Sequence, residues 1–306
     1  MVQRGVVGMV SQVWAAVRPQ GGAQRFLWWC GALLLASAVV HSVVAVVDGT
    51  PWLGSVSWRK PIVFGASFGL LAWSVVWVLR NMRERWLRWP VVVLLGGFAL
   101  FEVGLISMQV WRGQPSHFNN HSPFDEKVFE LMGQSVLAIA TAIGLLLVWA
   151  VFDLRGSAVV RVAALAGIVA QVVAGYIGTQ LIAEGDKVVA ATGHVPEDLV
   201  FGAAGSAKLA HAIGIHGIQV LAVLAILLEG TRLAPRARLA AMLIATVGYT
   251  AAYAAVTLTA YDGRPWTDPT VALGALGLFG VVGVAVGYLR ALMARDVADE
   301  RSVVVA

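Results

Sequence analysis

Residues 131–152, LMGQSVLAIATAIGLLLVWAVF, form an unbroken stretch without a charged side chain. A helix needs about 20 mostly apolar residues to cross the hydrocarbon core of a bilayer. Strands of membrane barrels are only about ten residues long and alternate apolar with polar side chains, a pattern that this stretch lacks. The stretch therefore predicts a transmembrane helix. It decides the fold class because seven further stretches of the chain resemble it.

The composition of the whole chain agrees with this prediction. Hydrophobic residues make up 59% of the 306 positions and charged residues 13%, whereas soluble domains are about half apolar and a quarter charged. We therefore predict an all-α, polytopic membrane helix bundle without a soluble domain. Its eight predicted spans lie near 26–47, 61–79, 91–111, 128–152, 158–182, 206–228, 237–260 and 270–291. The predicted units are an interfacial segment (1–24), two four-helix halves (25–152 and 153–292) and a tail (293–306).

The distribution of charge predicts the orientation of the chain, because Lys and Arg accumulate in cytoplasmic loops. With loops on alternating sides, 15 of the 22 Lys and Arg residues share the side that holds both termini, and 7 fall opposite. The sequence therefore predicts cytoplasmic termini and four outside loops. One alternative remains, since Ala36-Ser37-Ala38 fits a signal-peptidase site. Cleavage there would leave seven helices.

Residues 2–18 place their apolar side chains on one helical face, which predicts a helix lying along the inner membrane surface. The single cysteine, Cys30, excludes a disulfide within the chain and a cysteine-based metal cluster. No basic patch with interleaved aromatic residues occurs. We therefore expect membrane lipid rather than nucleic acid as a partner, and a protein partner stays open.

All six histidines fall in the half of the bundle that is predicted to face outward. They are at positions 41, 117, 121, 194, 211 and 216. Ionisable residues at membrane depth usually face the bundle interior and mark function. We therefore predict one shared outward site. Its catalytic residues are Glu102 and Lys60, its cofactor-binding residues are His41, His117, His211, His216 and Gln219, and its metal-binding candidates are His117, His121, His211 and His216.

Two features qualify this site. His211 and His216 are five residues apart, which places them about 140° apart on a straight helix, so that they do not readily share one metal ion. Each histidine taken alone, and Glu102 as a neutral acid bonded between helices, also fits a purely structural role.

The outer loop WRGQPSHFNNHSPFD (111–125) lies between the third and fourth spans. Ser116 or Asn119 is expected to cap the next helix. Phe118 and Phe124 suggest a loop folded back over the mouth of the bundle. We predict a lid whose two histidines point toward the first or the sixth span.

An internal echo joins WRGQP (111–115) to YDGRP (261–265), each at the end of an outward-running span. Helices one to four would then map onto helices five to eight in the same orientation. The sequence thus allows a parallel 4+4 repeat.

Three motifs, KPIVFGAS (60–67), RGQPSHFN (112–119) and HAIGIHGIQVL (211–221), resemble those of a family of multi-pass bacterial membrane proteins. The resemblance covers the second to sixth spans and implies the plasma membrane of a bacterium, but no particular activity. Ala222 stands where relatives have proline, which puts a helix kink there in doubt. The eight-helix plan is also similar to haem A synthase, although the glutamate motif beside that family's histidines is missing. The resemblance gives weight to Lys60, His117, Asn119, Asp125, His211, His216 and Gln219.

Three functions fit these observations. The first is a redox protein or membrane oxidoreductase that holds haem or a transition metal in the outer half, with a lipid quinone as electron partner. The second is a proton-coupled transporter of a small solute in which Glu102 and the histidines carry protons. The third is an assembly or accessory subunit whose polar loop docks a partner.

Overall fold

The computed structural model describes residues 2–195 and 207–303, with side chains described for 6–195 and 207–294. This part of the chain contains nine helices and no β-strand. They are α1 (Val2–Ala16), α2 (Gly22–Asp48), α3 (Arg59–Arg80), α4 (Arg88–Trp111), α5 (Pro123–Asp153), α6 (Ala158–Thr192), α7 (Ala207–Glu229), α8 (Pro235–Tyr261) and α9 (Val271–Val303). We call the end that carries residues 49–58, 112–122 and 262–270 the outer end, and the opposite end the inner end.

Helices α2 to α9 are each long and apolar enough to cross a membrane, which confirms the eight predicted spans. The chain is a multi-pass integral membrane protein. Helix α6 continues to Thr192, ten residues beyond the predicted end of its span. These added residues include Glu184 and Lys187, which form an ion pair one turn apart. Such pairing extends a helix into water after its apolar part ends.

The inner half of the bundle contains one large continuous hydrophobic core. It is built from buried side chains of α2 to α9, among them the fully buried Leu79, Leu146 and Leu224. In the outer half the buried apolar residues separate into two small clusters. One surrounds Ile177 and Tyr253, and the other surrounds Ile106 and Met132. Polar side chains occupy the space between these two clusters.

Glycine allows the closest helix crossings. A Cβ at Gly65 of α3 would lie 2.9 Å from the backbone oxygen of Leu34 in α2. A Cβ at Gly280 of α9 would lie 2.4 Å from the backbone nitrogen of Ala252 in α8. Both pairs of backbones are therefore in direct contact, as small residues permit in membrane proteins.

Helix α1 packs on the inner end of the bundle. The Trp14 ring lies edge-on to Trp28 of α2 and Trp73 of α3, with centroids 5.7 and 5.5 Å away. Arg80, the last residue of α3, donates to the carbonyl oxygens of Ala15 and Arg18 at 2.6 and 2.8 Å. The helix predicted for residues 2–18 is present, and its contacts join it to α2 and α3.

Helix α4 is interrupted by one π-helical turn at Val93–Gly97. Gly96 in this turn lies against α2, where an added Cβ would be 3.0 Å from the Cys30 sulfur. Turns of this kind are rare and occur often at functional sites. Glu102 follows the turn by five residues.

The two echo sequences end their helices in the same way. Gly113 and Gly263 have φ values of 67° and 70°, and each donates its N–H three residues back, to Val110 and Ala260. The turn itself is thus common to both positions. The duplication of four helices stays a prediction.

Candidate functional site

A row of side chains on α3 faces the outer loop and α7. Lys60, Phe64, Ser67 and Leu71 recur at helical spacing and so share one face. The Ser67 hydroxyl lies 3.3 Å from Nε2 of His216 in α7. One turn further inward, the Gln219 amide bonds to the carbonyl oxygens of Ile215 and His216 and to the N–H of Leu71 in the orientation that satisfies both of its ends. The motif KPxxFxxS thus marks one helix face, and its serine is a site residue that our prediction left out.

His117 of the outer loop lies on the same face of α3, one turn further out. Its ring is 5.7 Å from Phe64 and 6.1 Å from Phe129 of α5, and its Nδ1 is 2.9 Å from the Ser116 hydroxyl. Burial and, to a smaller degree, the nearby Lys60 ammonium lower the pKa of His117 to about 3. The imidazole is therefore neutral at physiological pH.

The rest of the loop also packs on the bundle. Phe118 is 7% exposed and has a positive φ of 60°, and its ring fills the space above Gly185 of α6. Phe124, however, is 53% exposed and packs under the guanidinium of Arg112 instead of over the mouth. The loop therefore bridges α3, α5 and α6 through His117 and Phe118.

A second group of contacts fastens the loop to the start of α5. The Asp125 carboxylate is 4% exposed and accepts from Arg112 at 2.7 Å, Gln109 at 3.0 Å and Ser122 at 2.6 Å. Ser122 in turn accepts from the Asp125 N–H and is the N-cap of α5. The expectation that Ser116 or Asn119 caps this helix is wrong, because the helix begins later, at Pro123. These contacts satisfy the acid fully and indicate a structural role.

His41 is engaged at both ring nitrogens. Its Nδ1 lies 2.8 Å from the Ser37 carbonyl oxygen, and its Nε2 accepts from the Trp111 indole N–H at 3.2 Å. Trp58 stacks on the ring with a centroid distance of 5.8 Å. In this arrangement neither nitrogen of His41 has a lone pair to offer a metal ion or haem.

His211 is placed differently. Its Nδ1 lies 2.8 Å from the carbonyl oxygen of Ala174 in α6, and the ring rests on Gly178, where an added Cβ would be 3.1 Å from Cε1. A donor at Nδ1 leaves Nε2 as the nitrogen with a lone pair, which is the tautomer that metal-bound histidines usually have.

The remaining two histidines, His121 and His194, are exposed on the surface. Among the side chains described, those of residues 6–195 and 207–294, no three from His, Cys, Asp or Glu are placed to hold one metal ion. The four histidines predicted to bind a metal ion are thus separated: His121 lies on the loop surface, His117 lies against α3, and His211 and His216 lie on α7.

Glu102 is fully buried on α4 at 0% exposure. Neither carboxyl oxygen has a hydrogen-bond partner within the described part of the chain. Glu102 lies one turn inward of Ile106, whose cluster includes Phe64, and Ser67 lies one turn inward of Phe64. Glu102 and the Ser67–His216 pair therefore lie at a similar depth, both one turn inward of the contact between Ile106 and Phe64.

Three cationic side chains lie near the outer end of α3 and α7. Lys60 donates to the backbone oxygen of Ser55 at 3.0 Å and lies within electrostatic range of Arg59 and Lys208. All three are partly exposed. Positive charge is therefore concentrated at the mouth above the Ser67–His216 pair.

A comparison of the chain with protein-family models, curated proteins and solved structures finds no match. The membrane character implied by the resemblance to a bacterial family is carried by the eight helices themselves. The family assignment and the likeness to haem A synthase stay predictions.

Proposed function

We propose that this protein is a proton-coupled transporter of a small anionic solute, with Glu102 as the group that gains and releases the proton. The observation that carries the proposal is the burial of Glu102, whose carboxyl group is wholly enclosed and has no hydrogen-bond partner among the residues that the structure describes. We further propose the plasma membrane of a bacterium as its location.

The neutral and the ionised form of the Glu102 carboxyl group differ in the free energy that their burial costs. A neutral carboxyl group buried without a partner costs about 1–3 kcal/mol, whereas an ionised one costs several kcal/mol unless a cation or donors reach it. Glu102 can therefore release its proton only when the bundle rearranges and brings water or a positive group to it. An acid with this property couples protonation to conformation.

The cations Arg59, Lys60 and Lys208 favour an anion as the solute. They lie at the outer mouth, above His117 and the Ser67–His216 pair. A cleft lined by one sign of charge raises the local concentration of the opposite ion. Further inward, Ser67 of α3 and then His216 and Gln219 of α7 offer hydrogen-bonding groups.

The packing of the inner half supports a closed inner gate in this arrangement. Below Gln219, α3 and α7 meet through the large apolar core, and α1 covers their inner ends. The π-helical turn of α4 supplies a place where this helix can change its register near Glu102.

The test is proton-driven uptake into proteoliposomes. A panel of radiolabelled small carboxylates and inorganic phosphate is offered with an inward proton gradient, and a lumenal pH dye reports the proton. Glu102→Gln should reduce coupled uptake by an order of magnitude or more, because the amide keeps the shape and cannot exchange a proton. Glu126→Gln changes an exposed acid and is the matched control. Unchanged proton-driven uptake in Glu102→Gln contradicts the proposal.

One observation favours the redox function as a second candidate. The Nδ1 of His211 is held by the Ala174 carbonyl, which would orient Nε2 toward haem or a metal ion. His216 could provide the other ligand only if its contact with Ser67 opened. A quinone would then be the electron partner. Soret absorbance or stoichiometric metal in the protein purified from its native membrane, lost in His211→Ala but kept in His194→Ala, supports this candidate over transport.

A further inference from the structure

A groove separates α2 from α4 in the outer half, on the side of the bundle away from α7. Its volume is about 270 Å³, and four of its nine lining residues are leucine or valine. Its rim is open, since Gly104 is exposed and Trp111 is 61% exposed. Because both helices span the membrane, the groove opens to the bilayer, and its occupant must come from there.

The polar groups of the groove are almost all engaged with one another. His41 bonds to the Ser37 carbonyl oxygen and accepts from the Trp111 indole, as described above. The exception is Ser107, a residue of the groove lining whose hydroxyl has no partner within the described part of the chain; the oxygen is turned away from solvent, so that it reaches an occupant of the groove by rotation about its Cα–Cβ bond. The groove therefore offers one unsatisfied donor in an apolar lining.

The outer end of the groove is a rigid aromatic surface. Trp111 and His41 line this end, and the buried Trp58, which is outside the lining, packs edge to face on Trp111 with centroids 4.8 Å apart and stacks on His41. The hydrogen bond from Trp111 to His41 fixes the indole in place. A flat ring is the shape that gains most from such a surface.

We propose that this groove binds the head group of a quinone-class lipid, with the ring against Trp111 and one carbonyl oxygen accepting from Ser107. The volume lies near the low end for ligand sites and suits a single substituted ring. An acyl chain would fill the same space but would leave the Ser107 hydroxyl unpaired, at a cost in free energy. The proposal goes beyond the transport function and does not depend on it, because Glu102 lies on the buried side of α4.

The experiment is a binding titration with decyl-substituted benzoquinone, using the full-length protein in lipid nanodiscs and isothermal calorimetry. Gly104→Leu fills the groove and should abolish binding. Gly133→Leu is the matched control, because Gly133 of α5 is also exposed and an added Cβ meets nothing within 4 Å at either glycine. Ser107→Ala should weaken binding by roughly tenfold, the effect of one hydrogen bond of about 1.4 kcal/mol.

Decylbenzene has the ring and the tail but no carbonyl, so its competition with the quinone tests whether the site recognises the carbonyl oxygen. The proposal requires that decylbenzene displaces the quinone only at a concentration roughly tenfold higher than unlabelled quinone does, because it lacks the one hydrogen bond to Ser107. If Gly104→Leu binds the quinone like Gly133→Leu, the groove is not the site. If decylbenzene competes fully and Ser107→Ala has no effect, the groove takes an acyl chain and the assignment to quinones is overturned. Proton-coupled uptake is measured separately, so its failure leaves this result intact.

Discussion

The inner and outer halves of this bundle are built on opposite principles. The inner half is one apolar core with contributions from eight helices, whereas the outer half divides its apolar residues into two clusters around histidines, lysines and a buried acid. Stability and chemistry are thus separated along the membrane normal. A half that is closed by packing can hold the helices together while the other half rearranges.

The same contrast is visible within single helices. In α3, residues Leu71 to Leu79 are almost all buried in the inner core, while Lys60 and Ser67 face the outer loop and α7. In α7, Leu221 to Leu228 lie in the core, while His211 and His216 precede them. Within the membrane-spanning part of both helices, the histidines, Lys60 and Ser67 thus lie toward the outer end and the continuous apolar packing toward the inner end.

The largest expected effect comes from disturbing the inner half. Gly167→Val should reduce the free energy of unfolding by about 3 kcal/mol or more, because an added Cβ would lie 2.6 Å from the backbone Cα of Ile218. Gly175→Val changes the same helix where an added Cβ meets nothing within 4 Å. Thermal unfolding in detergent measures both. Equal stability of the two variants would show that α6 and α7 can move apart at Gly167 without loss. The inner half would then not be the tightly packed half of the bundle.

The outer half should respond to pH through His117. Its pKa is about 3 in the folded protein and 6.5 for the free side chain. Between these values the unfolded chain binds a proton that the folded chain excludes, so stability falls as pH decreases from 6.5 toward 3. The slope from one such group is at most about 1.4 kcal/mol per pH unit. Thermal unfolding across this range measures it.

His117→Phe isolates this contribution. Phenylalanine suits the space between Phe64 and Phe129 but has no proton to bind. The variant should therefore lose part of the acid sensitivity, whereas His121→Phe, at an exposed position, should keep it. If stability depends on pH in His117→Phe as it does in the unchanged protein, water reaches the His117 ring, contrary to what its contacts indicate.

The number and position of the helices could be read from the sequence because hydrocarbon thickness imposes a minimum apolar length. The position of the polar residues in the outer half could also be predicted, because the bounds of the spans place each residue along the membrane normal. What could not be read is which side chains meet. Helix α2 is apolar on all sides, so its sequence does not fix its rotation, and the pairing of His41 with Trp111, 70 residues away, depends on that rotation.

Glu102 and the histidines illustrate the same limit. Their common depth was foreseeable from their distance to the helix ends, but the pairing of His216 with Ser67, and the lack of a hydrogen-bond partner for Glu102 within the described part of the chain, were not. The spacing of Lys60, Phe64 and Ser67 did contain one usable signal, because it places all three on one face of α3. Reading that spacing as a helix face would have added Ser67 to the predicted site.

The smallest expected effect concerns the attachment of α1 to the inner end. Arg80→Met removes the donors to Ala15 and Arg18 and keeps the length of the side chain. Because this contact is near the surface, the loss should be about 1 kcal/mol, with faster hydrogen exchange confined to α1. Arg83→Met removes an exposed cation from the same region and is the control. Faster exchange that spreads into α3 and α7 would mean that α1 stabilises the whole inner half, and the inner core would then depend on a helix that lies outside the eight spans.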